Sequence, residues 1–400
     1  MKPASLVLTI LLSAAAMAGE DIRAKTLAPD DIGSLSAVIM DQKTRRVLWA
    51  KAAHTRRFPA STTKIMTGLL VAEKTSPHLI VTAPEGIEEV GESSLHLKSG
   101  EQLEAQDMLY AIMLRSANDA CATMAFQIAG STEGFAKLMN QRAKELGCKE
   151  TQFTNPHGLH DPEHYTTAYD LGLIASAALE NQRFAEVVQT WRHKVTRSSD
   201  SKDLTLTNHN KLLKEDKECL GVKTGWTVPA GKCFVGAFTV NGHTIVTVVM
   251  GGKDWMTDTT TLEGWAEANL VDKVVAGAGQ ALGSAPVVDG QSGEVAVRAT
   301  KGLVVPWIAG TPFSATPSST PKSVNAPVQE GQAMGTVMMK LSDGSMVPVE
   351  VEAAAAVAIK PPAQRLPQPS TLLIGGALVG GWAWMRRGRY QRRRNRIVSW

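Results

Sequence analysis

The stretch "RFPASTTKIMTG", Arg57–Gly68, places a proline and a Ser/Thr cluster directly before an apolar run at helical spacing. Serine and threonine are preferred N-cap residues and proline is common where a helix begins, so the stretch predicts a helix that starts near Ser61. Ser61 and Lys64 then lie about one turn apart on the same helix face. Ser61 therefore has two interpretations, as a helix cap and as a nucleophile whose proton the lysine removes.

Strands are predicted on both sides of a mostly helical middle. "LSAVIMD" and "RRVLWAK" form a hairpin around Gln42–Thr44. "KCFVGAFTV" and "HTIVTVVM" form another around Asn241-Gly242, the strongest short hairpin signal. Residues 261–275, "TLEGWAEANLVDKVV", close the domain as a predicted helix. The pattern predicts an α/β fold in which an antiparallel sheet is flanked by helices and carries a mostly helical insert.

The two ends of the chain differ in composition from the middle. Residues 1–18 carry one lysine, an apolar run and the triplet Ala-Met-Ala, which predicts a secretory signal peptide. The main domain then covers 19–275 and works outside the cytoplasm. Alternating strands with many Gly, Pro and Ser residues predict a small β domain over 281–358, followed by a Pro-rich linker over 359–370.

A C-terminal membrane anchor is predicted over 371–388. The run "TLLIGGALVGGWAWM" holds no charge, and seven arginines follow it, which predicts a spanning helix with a basic cytoplasmic tail over 389–400. An in-plane helix is the alternative, but the run has no polar face. Without these arginines and Lys2 the formal net charge falls from +4 to −4. The basic character therefore belongs to the anchor, and no nucleic-acid partner is expected.

The chain has four cysteines, Cys121, Cys148, Cys219 and Cys233. Export permits disulfides, and four cysteines allow three pairings, none of which the sequence selects. Cys219 and Cys233 flank a predicted hairpin and could pair across it. Cys121 lies in an apolar helical run, which is typical of a small buried thiol.

Two further motifs follow Ser61 and Lys64 in the sequence. "LRSANDA" contains Ser116 and Asn118 between two apolar helical runs, and alone it is typical of a helix-joining turn. "GVKTGWT" contains the tripeptide 223–225 on a predicted strand, and alone it is typical of an exposed edge strand. Other Ser-x-x-Lys copies, at 199–202 and 319–322, lie in polar stretches with no apolar helix behind them. The three motifs in this order are far more specific than any one of them.

Together, Ser-x-x-Lys, Ser-x-Asn and Lys-Thr-Gly resemble the motif set of the penicillin-recognising serine enzymes. Within them the chain resembles the low-molecular-mass D-alanyl-D-alanine carboxypeptidases, over roughly residues 30 to 275. "PASTTKIMTG", "LGCKETQFTNPHGL" and "GVKTGWTVPAGKCFVGA" carry this resemblance, and a small β domain and a C-terminal anchor are also family features. The resemblance implies the β-lactamase/transpeptidase-like fold and a penicillin-binding serine carboxypeptidase domain over 19–275.

The resemblance implies three catalytic residues. Ser61 attacks the carbonyl of the penultimate D-alanine, Lys64 takes its proton, and Ser116 passes a proton to the leaving amine. Water then frees the acyl-enzyme. The implied substrates are peptidoglycan stem peptides and the implied inhibitors are β-lactams, with no metal and no cofactor.

It also implies five substrate-binding residues. Asn118 holds the substrate backbone, Lys223 adds positive potential and Thr224 binds the terminal carboxylate. Gly225 lets the substrate lie against the strand edge as an added strand. The backbone N–H groups of Ser61 and Trp226 form the oxyanion hole.

Some positions depart from the family pattern or receive structural interpretations. Trp226 stands where relatives often have His, and Asp258 stands near the place where some relatives have an Arg, with Lys253 as the nearest basic residue that could compensate. His157 is interpreted as structural, and Asp170 as fixing a loop by pairing with a basic residue. Both are left outside the site.

Three other functions remain open at this point. A DD-endopeptidase would use the same site on crosslinked peptides. A class A β-lactamase would need a Glu-x-x-Leu-Asn stretch between the second and third motifs, and the sequence has none. A penicillin-binding scaffold without turnover is the non-enzymatic alternative.

Overall fold

The computed structural model describes residues 27–199, 202 and 204–361. Within this part of the chain the helices are α1 Lys64–Lys74, α2 Ala105–Tyr110, α3 Asn118–Ala129, α4 Thr132–Glu145, α5 Ala168–Glu180, α6 Gln182–Gln189, α7 Leu212–Glu215 and α8 Trp255–Asn269. A π-helical turn, Ala111–Arg115, continues α2, and a 3₁₀ turn, Ala60–Thr63, precedes α1.

The strands of the first half are β1 Ser36–Asp41, β2 Val47–Lys51, β3 Ile80–Thr82, β4 Gln102–Glu104, β5 Arg192–Lys194, β6 Thr205–Thr207, β7 Cys219–Thr227, β8 Gly231–Val240 and β9 His243–Gly252. Those of the second half are β10 Leu270–Ala276, β11 Ala281–Val288, β12 Glu294–Ala299, β13 Leu303–Ile308, β14 Ala315–Pro317, β15 Val324–Asn325, β16 Ala333–Leu341 and β17 Met346–Ala353.

The central sheet has the strand order β2-β1-β9-β8-β7, with every neighbouring pair antiparallel. The strands before the helical middle therefore pair with those after it, which confirms the predicted antiparallel sheet with a helical insert. The turn between β8 and β9 also forms as predicted, with positive φ at Asn241 and Gly242. Strand β7 lies at the edge of this sheet.

The two faces of the sheet bury different cores because side chains alternate along each strand. Val38 and Val248 point into the cluster formed with α1, the π-helical turn and α5. Ile39 and Phe234 point the other way, into the cluster formed with α8. The first cluster fixes α1 against the sheet, and Ser61 lies in the turn that leads into α1.

The predicted closing helix is wrong at its C-terminal end. Helix α8 stops at Asn269, and Leu270–Ala276 forms strand β10, which pairs with β13. Leu270 already has extended backbone angles. Val271, Val274 and Val275 are β-branched and favour a strand, a preference that the helical periodicity of the preceding residues concealed.

The described residues divide into two compact units. Residues up to 274 and Val304–Ser314 form one, and Val275–Leu303 with the residues from Ala315 onward form the other. The second unit contains a sheet of strand order β14-β16-β17-β12-β11-β15. Its β16–β17 hairpin turns at Asp343-Gly344, with a φ of 84° at Gly344.

The predicted signal peptide (1–18), anchor (371–388) and basic tail (389–400), and all of the linker beyond residue 361, lie outside the described residues. Among the residues that are described, none of the helices combines the length and the apolar character that crossing a bilayer requires.

The suggested Cys219–Cys233 disulfide is wrong, because all four cysteines are free thiols. In the β7–β8 register Cys219 pairs with Phe238, whereas Cys233 pairs with Gly225. Six residues separate Cys219 from Gly225, which is about 20 Å along a strand and far beyond the reach of a disulfide. Cys121 is fully buried, as predicted.

Candidate active site

Ser61 lies inside the 3₁₀ turn and does not cap α1. The helix begins at Lys64, its N-cap residue is Thr63, and no side chain makes the capping hydrogen bond. The Oγ of Ser61 instead accepts a hydrogen bond from Lys64 Nζ at 3.2 Å. Ala60, just before it, has a φ of 49°, a costly left-handed conformation for a non-glycine residue that the surrounding packing must hold. The capping interpretation is therefore wrong for this structure.

Lys64 is completely buried and makes two further hydrogen bonds. Its Nζ donates to Asn118 Oδ1 at 2.7 Å and to the carbonyl of His157 at 2.6 Å. The side-chain amide of Asn118 is oriented by its Nδ2–H group, which donates to Gly91 O at 3.0 Å. Because burial disfavours the charged form, the pKa of Lys64 is lowered from 10.5 to about 8.

These contacts fix the direction in which the lone pair of neutral Lys64 points. A neutral amine has two N–H donors and one lone pair, and the Asn118 and His157 oxygens can only accept. Both donors are therefore used on those oxygens, and the lone pair is left facing Ser61 Oγ. The hydroxyl then becomes the donor, so deprotonated Lys64 is placed to take the proton of Ser61.

Ser116 and Asn118 lie where the π-helical turn joins α3. Ser116 has a φ of 63° and ends the turn, while Asn118 is the first residue of α3. Both side chains are buried. Asp119 fixes the facing loop, since its carboxylate accepts hydrogen bonds from the backbone N–H groups of Leu95 and Leu97. The motif is a helix-joining turn, and it also directs Asn118 at Lys64.

Lys223 and Gly225 approach the 3₁₀ turn from edge strand β7. The Nζ of Lys223 is buried and donates to Thr224 O at 3.1 Å. Burial, with the nearby Lys64 charge as a second cause, lowers the pKa of Lys223 to about 7. A Cβ on Gly225 would lie 3.1 Å from the backbone nitrogen of Ser61 and 3.0 Å from that of Thr62. The strand can come this close to the turn only because residue 225 has no side chain.

Most of the predicted site residues line a single cavity of about 390 Å³. Ser61, Ser116, Thr224, Gly225 and Trp226 line it directly. Lys64 and Asn118 lie behind Ser61, joined by the hydrogen bonds above. The three sequence motifs therefore meet at one place.

Five lining residues were not predicted from the sequence: Glu92, Ser93, His209, Lys232 and Trp255. The hairpin pattern could have pointed to Lys232, because it pairs with Trp226 in the β7–β8 register. His209 and Glu92 come from loops that give no signal of their own. Burial lowers the pKa of His209 to about 4, so its ring is neutral at physiological pH.

The loop containing His157 supports the site through its backbone. The imidazole Nδ1 of His157 accepts from Leu159 N, while the backbone carbonyl of His157 accepts from Lys64 Nζ. Gly158 has a φ of 88°, and a Cβ there would lie only 1.9 Å from the carbonyl of Ala60, so this position requires glycine. His164 accepts from Thr154 N at its Nδ1 and donates from Nε2 to Thr63 Oγ1. The loop thus fixes the turn that holds Ser61.

The two acidic residues singled out in the sequence have structural partners. Asp170 fixes a loop, as predicted, but through the backbone N–H groups of Lys149 and Glu150 instead of a basic side chain. Asp258 accepts hydrogen bonds from the N–H groups of Gly33 and Ser34. Its carboxylate therefore secures the chain before β1 and belongs outside the cavity.

A serine hydroxyl bonded to a buried lysine of lowered pKa, with an edge strand beside them, is the set of groups that serine acyl transfer uses. The family profile described as D-alanyl-D-alanine carboxypeptidase, Peptidase S11, matches residues 23–254. The chain belongs to this family, and it is a serine-type D-Ala-D-Ala carboxypeptidase.

Individual relatives agree with this membership. The chain is 31% identical over 322 residues to D-alanyl-D-alanine carboxypeptidase DacF of Bacillus subtilis, covering 78% of this chain and 82% of the relative. It is 29% identical over 347 residues to DacA of Escherichia coli K12, covering 82% and 85%.

Solved structures of related proteins have the same fold. Penicillin binding protein 5 of Haemophilus influenzae superposes with a TM-score of 0.67 at 25% identity, covering 83% of this chain and all of the other. A mutant of the Streptomyces K15 DD-transpeptidase superposes at 0.55 with 30% identity, covering 58% and 97%. The fold predicted for the main domain is confirmed.

Proposed function

We propose that Ser61 carries out the cleavage, removing the terminal D-alanine of peptidoglycan pentapeptides through an acyl-enzyme, and that β-lactams acylate the same oxygen. The observation that carries this proposal is the contact set of Lys64, which orients a buried amine of lowered pKa toward Ser61 Oγ. A lysine held this way acts as a general base near neutral pH.

The proposed reaction has two halves. Ser61 Oγ attacks the carbonyl carbon of the penultimate D-alanine while its proton moves to Lys64 Nζ. The C–N bond then breaks as Ser116 delivers its proton to the leaving nitrogen and takes up the proton held by Lys64, and D-alanine departs. In the second half water attacks the ester and gives a proton to neutral Lys64, which passes it to Ser61 Oγ as the ester C–O bond breaks, so that free Ser61 is restored.

The oxyanion hole is proposed at the backbone N–H groups of Ser61 and Trp226. The support is the close approach at Gly225, which brings the backbone of β7 to the amide of Ser61. Two such donors stabilise the developing oxyanion, and one alone contributes about 3 kcal/mol in comparable sites.

The terminal carboxylate of the substrate is proposed to bind the hydroxyl of Thr224, in the positive potential of Lys223 and Lys232. Lys232 is the basic side chain that lines the cavity, whereas Lys253 was the sequence-based suggestion. Trp226 is 62% exposed and forms one wall. Charge from lysines on two adjacent strands would serve the carboxylate in place of an Arg near position 258.

Release of D-alanine tests the proposal. The chain from residue 27 to residue 361 is incubated with an L-Ala-γ-D-Glu-L-Lys-D-Ala-D-Ala pentapeptide and with a D-Ala-crosslinked dimer, with Ser61→Ala in parallel. Loss of one D-alanine from the pentapeptide, absent in the variant, supports the carboxypeptidase. Cleavage of the dimer but not of the pentapeptide would indicate an endopeptidase instead of a carboxypeptidase. Acylation by penicillin without cleavage of either peptide would indicate a penicillin-binding scaffold without turnover.

We also propose that the protein is exported and attached to the membrane through residues 371–388. This rests on the apolar run that follows Lys2 and on the uncharged run near the C-terminus that arginines follow. Cell fractionation of the full chain and of a chain ending at residue 361 tests it. The full chain should sediment with membranes and the shorter one should not.

A further inference from the structure

A buried ion pair holds the loop that forms one side of the active-site cavity. The side chains of Arg197 and Glu101 are fully buried, and Nε and Nη2 of the arginine lie 2.6 and 2.9 Å from the two carboxylate oxygens. Residues 91–101 are called the cavity loop, because Glu92 and Ser93 line the cavity. The reaction proposed above uses neither member of the pair.

We propose that Arg197 is a positioning residue for acylation: it fixes the cavity loop beside Asn118, and Asn118 in turn directs Lys64 at Ser61. The inference rests on the proposed function, since it gives Arg197 a part in activating the serine. Arg197 lies outside all three motifs, between the second and the third in the sequence.

The guanidinium of Arg197 contacts the cavity loop at four oxygens. Besides the Glu101 carboxylate, it donates from Nη1 to Leu95 O at 2.9 Å and from Nη2 to His96 O at 3.3 Å. Ser199 Oγ donates to the same carboxylate at 2.8 Å, and such additional hydrogen bonds are what a buried ion pair requires. The planar fork of an arginine can hold a carboxylate and two carbonyls at once, whereas a lysine cannot.

Helix α3 holds the same stretch of the cavity loop. The carboxylate of Asp119 accepts hydrogen bonds from Leu95 N and Leu97 N, both at 3.0 Å. Leu95 is therefore bonded through its N–H to Asp119 and through its carbonyl to Arg197. Loss of Arg197 would leave this stretch fastened to α3 alone.

The cavity loop orients Asn118 through two backbone carbonyls. Ser93 O accepts from Asn118 N at 2.7 Å, and Gly91 O accepts from Asn118 Nδ2 at 3.0 Å. The second contact decides which way the amide faces, so it turns Oδ1 toward Lys64 Nζ, 2.7 Å away. If the loop shifts, the amide is released and Lys64 loses one of the two acceptors that fix its lone pair.

A shift of the cavity loop also changes the surroundings of Lys64. Burial is the largest cause of its lowered pKa of about 8, and the charge of Glu92 raises that pKa by less. Water admitted by the loop would therefore raise the pKa toward 10.5 even as Glu92 moves away. The titratable groups that face Lys64 are Asp119, Glu92, Cys121, Lys223, His157, His164 and His209.

The test measures the second-order rate of acylation by benzylpenicillin against pH for the chain 27–361. Arg197→Ala leaves Glu101 as an unpaired buried charge, which can unfold the chain, so the double variant Arg197→Met with Glu101→Gln carries the test. Arg197→Lys is the conservative variant. The matched control is Arg192→Ala, an exposed arginine of β5 that does not line the active-site cavity. Unfolding midpoints are recorded for all variants.

In the double variant we expect the rising part of the pH profile to move up by about one pH unit, because a less buried Lys64 holds its proton more tightly. The loss of rate near pH 7 should then exceed the loss near pH 9.5 by about fivefold, since the lysine is mostly neutral at the higher pH. Arg197→Lys should move the profile by less, and Arg192→Ala should leave it in place.

Two results would overturn the positioning role and leave the acylation of Ser61 standing. An equal loss of rate at both pH values would show that Arg197 only stabilises the fold, and an unchanged profile would show that the cavity loop does not depend on it. No acylation of the unchanged chain at any pH would overturn the proposed function itself.

Discussion

Two buried lysines with lowered pKa values dominate the chemistry at the scale of single residues. Lys64 has a pKa of about 8 and Lys223 of about 7, both chiefly because burial disfavours an ammonium. A substrate carboxylate arriving beside Lys223 favours the proton on that lysine, and a charged Lys223 in turn favours neutral Lys64. Substrate binding would then itself prepare the base.

The pH dependence of acylation follows from the pKa of Lys64. Below about 8 the amine is protonated and cannot accept the Ser61 proton, so the second-order rate of acylation by benzylpenicillin should rise about tenfold per pH unit from pH 6 toward pH 8. Above pH 8, where Lys64 is largely neutral, the rate should level off. Stopped-flow fluorescence would measure it, and a rate independent of pH between 6 and 8 would contradict a base of this pKa.

A second prediction concerns the effect of a side chain at Gly225 on the rate of acylation. Gly225→Ala places a methyl group about 3 Å from two backbone nitrogens, so the strand or the turn must shift. Because misplacement by about 1 Å costs about a hundredfold in rate, acylation should slow by that order. Gly264→Ala, in α8, where a Cβ meets nothing within 4 Å, is the matched control and should keep the rate of the unchanged protein. Equal rates for both variants would show that the approach of β7 to the Ser61 turn does not depend on glycine at position 225.

At the scale of elements, the site is assembled from one edge strand and two helix beginnings. Strand β7, the turn before α1 and the start of α3 each contribute one motif, and the His157 loop holds the turn in place. The sequence predicts the elements themselves well, since Ser61, Ser116 and Lys223 each stand beside an apolar run of clear period. It does not predict Lys232 or His209, because their roles depend on register and on loop paths.

Asp258 ties the first turn of α8 to the chain entering β1. Asp258→Ala removes three acceptor contacts and leaves the buried N–H of Ser34 and the part-buried N–H of Gly33 without their acceptor. The loss should cost about 3 kcal/mol and lower the unfolding midpoint by several degrees. Differential scanning calorimetry measures it, with Ser34→Ala, which removes one contact, expected at about a third of the effect. An unchanged midpoint in Asp258→Ala would show that the tie is not stabilising.

At the scale of the whole molecule, the chain leaves its first compact unit after Val274 and returns to it with Val304–Ser314. The change in composition near residue 281 indicates where the second unit begins, but no sequence pattern predicts that Val304–Ser314 belongs to the first unit. Trp307 shows what the return contributes: it is 3% exposed, and the guanidinium of Arg46 lies 4.4 Å from its ring centre. A contact between positions so far apart in sequence is not readable from local periodicity.

Trp307→Ala tests this returning segment. Removing a buried tryptophan typically costs about 3–5 kcal/mol, so the unfolding midpoint of the first unit should fall by several degrees. Val304→Ala, in the same strand but 37% exposed, should shift it by much less. Thermal unfolding is monitored through the loss of penicillin acylation, which reports on the first unit alone because that unit contains Ser61. Equal midpoints for the two variants would contradict the claim that the segment belongs to that unit's core.

The most direct test of the central claim, that Lys64 activates Ser61, is the intact mass of residues 27–361 after incubation with benzylpenicillin, with the adduct mapped by peptide digestion. We expect one adduct, located on Ser61, and at least a hundredfold slower formation in Lys64→Ala at pH 7. An adduct on another residue, or an equal rate in Lys64→Ala, would contradict it.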